Sequence, residues 1–130
     1  MTSALERDRV LVLGREPEAV AATREWLMQG EPWSELSEDS QADLLVMASE
    51  LVSNVLLHTT SVPGISFGRR GEWVRFAVMD GDDRRPRVLP VDPHRVGGNG
   101  LRVVDAWSDR WGVDAEPGGG KTVWILVHVG

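Results

Sequence analysis

A glutamate, an asparagine and a histidine recur at four-residue spacing in the segment LLVMASELVSNVLLH, residues 44–58. Glu50, Asn54 and His58 therefore form one row if this segment is a helix. The row borders an apolar stripe formed by Leu44, Ala48, Leu51, Val52 and Val55. A carboxylate can accept a proton and an amide oxygen can bind a hard cation, so this row suits a cavity that holds a metal-bound nucleotide. The alternative is an ordinary solvated helix face, since the ExxxN pattern alone is short.

A second carboxylate lies on the apolar phase of a predicted strand. Val74, Phe76 and Val78 share one face of the strand 72–80 with Asp80. A carboxylate on a buried face is costly unless something donates hydrogen bonds to it. Either a ligand donates to Asp80, or Asp80 and Gly81 simply open a turn, where aspartate and glycine are common.

A third feature is the run of glycines that ends the segment 82–98, which is rich in Asp, Arg, Pro and Gly and is predicted to be a loop or lid. Gly98, Asn99 and Gly100 lead directly into Leu101 and a helical apolar pattern that extends to Trp107. Free amide groups at the start of a helix suit a phosphate. The alternative is a flexible linker before an ordinary helix.

The segment GGGKT, residues 118–122, is not a P-loop. The pattern GxxxxGK[ST] requires glycine where Ala115 stands, and VWILVHV after it has the character of a strand. A Rossmann fingerprint is excluded as well, because GGNGLRVV has no third glycine and no strong strand directly before it.

Composition restricts the function further. The formal net charge is −6, and the arginines are scattered among acidic residues, so we expect no nucleic-acid partner. The chain has no cysteine, which excludes disulfides and thiolate chemistry, and its three histidines show no zinc-binding spacing. No apolar run has the length of a membrane span and the start of the chain lacks the layout of a signal peptide, so we expect a cytoplasmic protein with no membrane contact.

The elements that must position these residues follow from hydrophobic periodicity. We predict one domain over residues 1–130, with an α+β fold in which helices back one face of a mixed, mostly antiparallel sheet in two layers. The predicted order begins with a strand at 10–13, a helix from Pro17 to Gly30, and a second helix that contains residues 44–58 and is capped at Ser37 or Ser40. Strands at 65–69 and 72–80, a helix after Gly100, and strands at 111–114 and 122–128 follow.

Four of these features together resemble a known family. ExxxN on a helix, Asp80 at a strand end, GGNGL opening a helix and GKTVW entering a final strand are similar in order and spacing to the N, G1, G2 and G3 boxes of the ATPases related to gyrase, Hsp90, histidine kinases and MutL. The small size, ASELVSNVLLHT and GGNGLRVVDAWSDRWG resemble the stand-alone anti-sigma-factor serine kinases, actinobacterial type, over nearly the whole chain.

The resemblance implies catalytic and metal-binding roles. Asn54 would coordinate the Mg2+ that bridges the phosphates of ATP. Glu50 would be the general base that accepts the proton of a partner's serine hydroxyl. The lid amides at Gly98, Asn99 and Gly100 would neutralise phosphate charge.

The remaining roles concern the adenine ring and the residues around it. Asp80 would accept a hydrogen bond from the adenine amino group, and Thr122 would support that contact. Leu101 belongs to the cofactor-binding set as part of the GGNGL box. His58 matches a histidine of the relatives but equally suits packing at a helix end, and Lys121, the only lysine, is either a site residue or a strand-end charge.

The sequence departs from the family in the loop after Asp80. The family has DxGxG there, whereas this chain has Gly81 followed by Asp82 and Asp83, whose charges would repel a triphosphate unless Arg84 or Arg85 offsets them.

The expected protein is therefore a serine/threonine protein kinase that uses Mg-ATP. It would phosphorylate a small anti-anti-sigma partner of the STAS type, would otherwise hold a sigma factor, and would be a homodimer with its first strand and first helix near the interface. One alternative is a non-catalytic, nucleotide-responsive module that sequesters a transcription regulator. A detached histidine-kinase ATP domain is the other.

Overall fold

The structure is a computed structural model and describes residues 8–85 and 100–129. Nine regular elements follow one another in these ranges, one of them a single 3-10 turn at Trp33–Glu35. The others are β1 Arg9–Val12, α1 Glu18–Met28, α2 Glu38–His58, β2 Gly64–Arg70, β3 Trp73–Asp80, α3 Gly100–Trp107, β4 Arg110–Ala115 and β5 Lys121–His128.

The five described strands form one sheet in the order β1-β2-β3-β5-β4, and every described pair is antiparallel. The α+β fold with a helix-backed sheet is confirmed, but the mixed component of the predicted sheet is not found. The reason is the position of β5. Strands β3 and β4 run in the same direction, with α3 between them in sequence, but β5 inserts between them and pairs antiparallel with both. Strand β1 lies at one edge of this sheet.

Helix α2 is the central element of the helical layer. Its N-cap is Ser37, whose Oγ accepts a hydrogen bond from the Ser40 backbone N–H at 3.1 Å, as one of the two predicted alternatives requires. All five residues of its predicted apolar stripe are buried, and they pack with the inward phase of β2, β3 and β5 in one core. None of the helices in the described ranges is both long and apolar enough to cross a membrane.

The β2–β3 hairpin fixes which face of β3 is buried. Its two-residue turn consists of Gly71 and Glu72, one residue later than predicted, and Gly71 has a φ of +61°, which glycine adopts without strain. With this register Val74, Phe76 and Val78 point into the core, and Asp80 follows them on the same face at the strand end. The buried phase predicted for Asp80 is therefore confirmed.

Candidate functional site

A cavity of about 540 Å³ lies between α2, the start of α3 and the ends of β3 and β5. Its volume is within the range of about 300–1,000 Å³ that is typical of small-molecule sites. Its lining among the described residues is Leu51, Asn54, Val55, His58, Thr59, Val78, Asp80, Asp82, Arg84, Arg85, Leu101, Lys121 and Val123.

The lining combines aliphatic and charged side chains. The aliphatic part consists of Leu51, Val55, Val78, Leu101 and Val123, which come from two helices and two strands. Three basic and two acidic side chains add a net positive charge to this part of an otherwise acidic protein. An apolar slot with a positive excess suits a flat ring that carries an anionic group.

Two of the three residues that form the row Glu50, Asn54 and His58 on α2 lie at the cavity. Asn54 and His58 line it, and the Asn54 amide makes no hydrogen bond to another residue of the described ranges. His58 is exposed at the rim, so its ring does not fill the core, while its backbone carbonyl accepts a hydrogen bond from Arg84 Nη2 at 2.8 Å. Asn54 thus offers an unpaired amide to whatever the cavity binds.

Glu50 lies one turn before Asn54, against the first residue of α3. A Cβ added to Gly100 would come within 2.9 Å of Glu50 Cβ and 3.2 Å of Glu50 Cδ, so only glycine permits this approach of the two helices. Glu50 is half-buried and is not among the lining residues. Leu101, the next residue of α3, is buried and does line the cavity. The Glu50 carboxylate therefore lies beside the start of α3 and is not part of the cavity lining.

Asp80 lines the cavity and is held there by donors of the protein itself. Its side chain is 1% exposed. Oδ1 accepts a hydrogen bond from the Asp82 backbone N–H at 2.7 Å and another from Lys121 Nζ at 3.0 Å. The first bond is the local turn that one sequence interpretation predicted, and the second is an ion pair that the sequence analysis did not predict. These two donors offset the cost of a carboxylate on a buried face.

The structure places Lys121, and not Thr122, beside Asp80. Asp80 and Lys121 are paired across β3 and β5, so both point to the cavity side, and Lys121 is buried. Thr122 points to the opposite face of the sheet, where its hydroxyl donates to Glu116 Oε2 at 3.1 Å. The structure therefore does not bring Thr122 into the cavity, and a direct role for it beside Asp80 conflicts with the strand register.

The acidic loop after β3 is neutralised from within. Asp82 forms an ion pair with Arg84 at 2.8 Å, and hydrogen bonds from that guanidinium hold the pKa of the Asp82 carboxyl well below its usual range. Asp83 Oδ1 accepts a hydrogen bond from the Gly120 N–H at 2.6 Å, and Arg85 donates to the Val113 carbonyl at 2.9 Å. The repulsion expected from two adjacent aspartates is thus offset by Arg84 and by a backbone amide.

Gly98 and Asn99, the other two residues assigned to the glycine-rich box, lie outside the described residues. Of the assigned set, Asn54, Asp80 and Leu101 share the cavity, while Glu50 and Gly100 form a contact at its border.

The sequence reasoning missed the role of Lys121, although a usable signal was present. Lys121 shares its strand phase with Val123, Ile125 and Val127, which are apolar, just as Asp80 shares a phase with apolar residues in β3. A single lysine and an aspartate that both fall on buried phases of predicted strands indicate an ion pair. The same alternation places Thr122 with Trp124 on the other face.

Together the fold and cavity define a class: a two-layer α+β domain with a cavity between its helices and its sheet. The fold is similar to that in the crystal structure of the RsbU and RsbW domains of Rv1364c from Mycobacterium tuberculosis, with a TM-score of 0.69 and 18% sequence identity. The match covers 95% of this chain and 32% of that chain, so this chain spans about a third of the length of that protein. No family model and no curated protein matches the sequence. The likeness shows the fold alone.

Proposed function

We propose that this protein is an ATP-binding regulatory protein of the anti-sigma-factor type that acts as a serine/threonine protein kinase. The observation that carries the proposal is the convergence of Asn54, Asp80 and Leu101 on one cavity, with Glu50 one turn from Asn54. Three separate motifs of the sequence supply these residues, and their meeting in one pocket supports a common ligand. The similarity of the fold to a structure that contains an RsbW domain agrees with this choice.

Asn54 is the residue suited to Mg2+. Its amide oxygen is a hard ligand and its side chain has no hydrogen-bond partner among the described residues. No cluster of three metal-binding side chains occurs in residues 8–85 and 100–129, which fits an ion that takes its other ligands from phosphate and water. Mg2+ bound there would neutralise phosphate charge during transfer.

Glu50 would act on the protein substrate. The serine oxygen of a partner forms a bond to the γ-phosphorus of ATP, the bond from that phosphorus to the β–γ bridging oxygen breaks, and ADP leaves. Glu50 takes the proton of the attacking hydroxyl. Its position beside Gly100 puts the carboxylate near the start of α3, where backbone amides favour a phosphate.

The part of the cavity around Asp80 would hold the adenine ring. The aliphatic lining from Leu51, Val55 and Val78 offers apolar contact to a planar ring, and the Asp80 carboxylate offers an acceptor to an exocyclic amino group.

A second candidate function is a nucleotide-responsive interaction module without catalysis. The position of Glu50 outside the cavity lining favours it, because a base must reach the hydroxyl that it deprotonates. Under this alternative ATP binding would change the affinity for a regulator, and no phosphate would be transferred.

The proposed partners are a small anti-anti-sigma protein, a sigma factor and a second copy of this chain. For the homodimer, the supporting observation is the edge strand β1, whose residues Val10 and Val12 are 63% and 73% exposed. Exposed apolar surface on Trp26 or Trp33 would add support for the dimer, but both side chains are half-buried. Analytical ultracentrifugation of the wild type and of Val12→Glu tests the dimer, which the substitution should weaken.

Calorimetric titration with ATP, with and without Mg2+, tests the site. We expect binding that requires Mg2+ and that Asn54→Ala weakens by about tenfold or more, the loss expected for a contact to a charged group. Ser53→Ala is the matched control, because Ser53 is the adjacent helical residue and does not line the cavity. If the wild type binds neither ATP nor ADP at sub-millimolar concentration, the proposal is wrong.

Phosphate transfer from labelled ATP to candidate STAS-type proteins then separates the two functions. Glu50→Ala should retain ATP binding and lose transfer, since the general base contributes to the chemical step alone. Equal transfer by Glu50→Ala and the wild type would remove Glu50 from the mechanism. ATP binding without transfer to any candidate partner favours the interaction module.

A further inference from the structure

The single lysine of the chain is buried and belongs to the cavity lining. Lys121 Nζ lies 3.0 Å from Asp80 Oδ1 and 2.9 Å from the Asp82 backbone carbonyl oxygen, and its side chain is 7% exposed. An ammonium group carries three N–H donors. Two of them are used by these acceptors, and the third has no acceptor within the described ranges.

The lysine and its partner form a fixed pair of hydrogen-bonding groups. Both line the cavity, and the cross-strand pairing of β3 with β5 sets them side by side. Asp80 Oδ1 already accepts two hydrogen bonds, whereas Oδ2 has no partner among the described residues. Two residues of the cavity lining therefore carry one acceptor oxygen and one N–H donor that have no partner within the described ranges.

We propose that Lys121 is a base-specificity residue: its Nζ donates to the ring nitrogen that neighbours the amino group received by Asp80. This inference rests on the proposed function and adds a second contact to the base. Adenine carries an amino donor at C6 beside an unprotonated N1, which matches an acceptor beside a donor. A 6-oxo purine carries an oxygen and an N–H in those two positions, so both groups would meet the wrong partner.

Discrimination of this kind is strong in a buried site. A base that lacks the matching group leaves the third ammonium N–H or the second carboxylate oxygen without a partner away from water, and this costs more than the absent hydrogen bond alone. The apolar lining around the pair, including Val78 and Val123, supplies no substitute donor or acceptor. The base should therefore be recognised at two adjacent atoms.

The opposing view is that the ion pair only stabilises the end of the sheet. Ligand analogues separate the two roles without changing the protein. In 1-deaza-ATP a C–H group replaces N1, and in ITP an oxygen replaces the amino group. A purely structural lysine is indifferent to the first of these changes.

Calorimetric titration of the full-length wild type with Mg-ATP, Mg-1-deaza-ATP and Mg-ITP is the test. We expect 1-deaza-ATP and ITP each to bind about tenfold or more weakly than ATP, the lower limit for loss of a hydrogen bond to a charged group. Equal affinity for ATP and 1-deaza-ATP overturns the inference and leaves the proposed function intact. No binding of any of the three nucleotides overturns the proposed function, and the inference with it.

Paired variants connect the effect to the side chain. Asp80→Asn combined with Lys121→Met removes both charges together and keeps an acceptor oxygen for the amino group. In that variant ATP and 1-deaza-ATP should bind equally, whereas Thr122→Val, on the other face of the sheet, should keep the wild-type preference. A preference for ATP over 1-deaza-ATP that persists in the double variant refutes the role of Lys121. If the double variant does not fold, the wild-type comparison of ATP with 1-deaza-ATP decides alone.

Discussion

Gly100→Ala tests whether the start of α3 is held against the proposed catalytic base. The added Cβ would lie 2.9 Å from Glu50 Cβ and 3.2 Å from Glu50 Cδ, and closer still to Oε2. The carboxylate can rotate away, but Glu50 Cβ is fixed to the backbone of α2. The helices must therefore separate locally by several tenths of an ångström to admit one methyl group.

Two opposing terms set the size of the effect. Overpacking of a well-packed contact costs about 1–3 kcal/mol. Alanine is favoured over glycine within a helix by about 1 kcal/mol at most, and by less at the first residue. The steric term is the larger, so we expect a net loss of about 1 kcal/mol in the free energy of unfolding, together with loss of the normal position of the Glu50 carboxylate.

Urea unfolding followed by tryptophan fluorescence measures the stability change, and phosphate transfer to a STAS-type partner measures the functional one. In a Glu50→Ala background Gly100→Ala should cost less, because two of the three close contacts are then absent. If Gly100→Ala is as stable as the wild type in both backgrounds, α3 does not rest on Glu50 and the described geometry of this border is wrong.

Three further predictions concern the loops and the ion pair around the cavity. Lys121→Met should lower the free energy of unfolding by about 3–5 kcal/mol, because it leaves the Asp80 carboxylate, which is 1% exposed, without its cation. Denaturant titration measures this change, and a loss below about 1 kcal/mol would contradict the prediction. Gly120→Ala should destabilise by at least about 1–2 kcal/mol, because Gly120 has a φ of +85° and an added Cβ would lie within 2.9 Å of the backbone. Gly118→Ala is the control: there is open space around Gly118, so the free energy of unfolding should change by less than about 0.5 kcal/mol. Arg84→Gln should destabilise at neutral pH. The part of the loss that comes from the Asp82 ion pair should stay constant down to about pH 4, the ordinary pKa of an aspartate, and should shrink progressively as the pH falls from there toward the depressed folded pKa of Asp82. The part that comes from the Arg84 bond to the His58 carbonyl should not change with pH. Unfolding curves of both proteins from pH 7 to pH 2 check this, and a difference that grows toward low pH would reverse the assigned sign.

The elements were largely predictable because each depends on local periodicity. The α2 stripe from Leu44 to Val55 and the inward phase of β3 are properties of spacing alone, and both are buried as predicted. Boundaries moved by one residue or so, and the start of α2 at Glu38 was indicated by the candidate cap Ser37 rather than by the apolar pattern, because a polar first turn of a helix carries little apolar signal. Such ends are set by capping, here by Ser37.

Strand pairing was not predictable from the same signals. Hydrophobic alternation assigns a face to each strand, but the insertion of β5 between β3 and β4 is a choice among arrangements with similar local patterns. That insertion decides which residues face each other at the strand ends, and so it determines the partners of Asp80.

The sequence by itself determined that Asp80 would be buried and that Glu50 and Asn54 would share a helix row, since these follow from periods of two and 3.6 residues. Only the tertiary structure decided that Lys121 is the cation that neutralises Asp80, that Thr122 faces the other side of the sheet, and that Gly100 lies against Glu50. The physical reason is that contacts between residues far apart in the chain depend on strand order and helix packing. Those are set by the free energy of the whole core rather than by any local pattern.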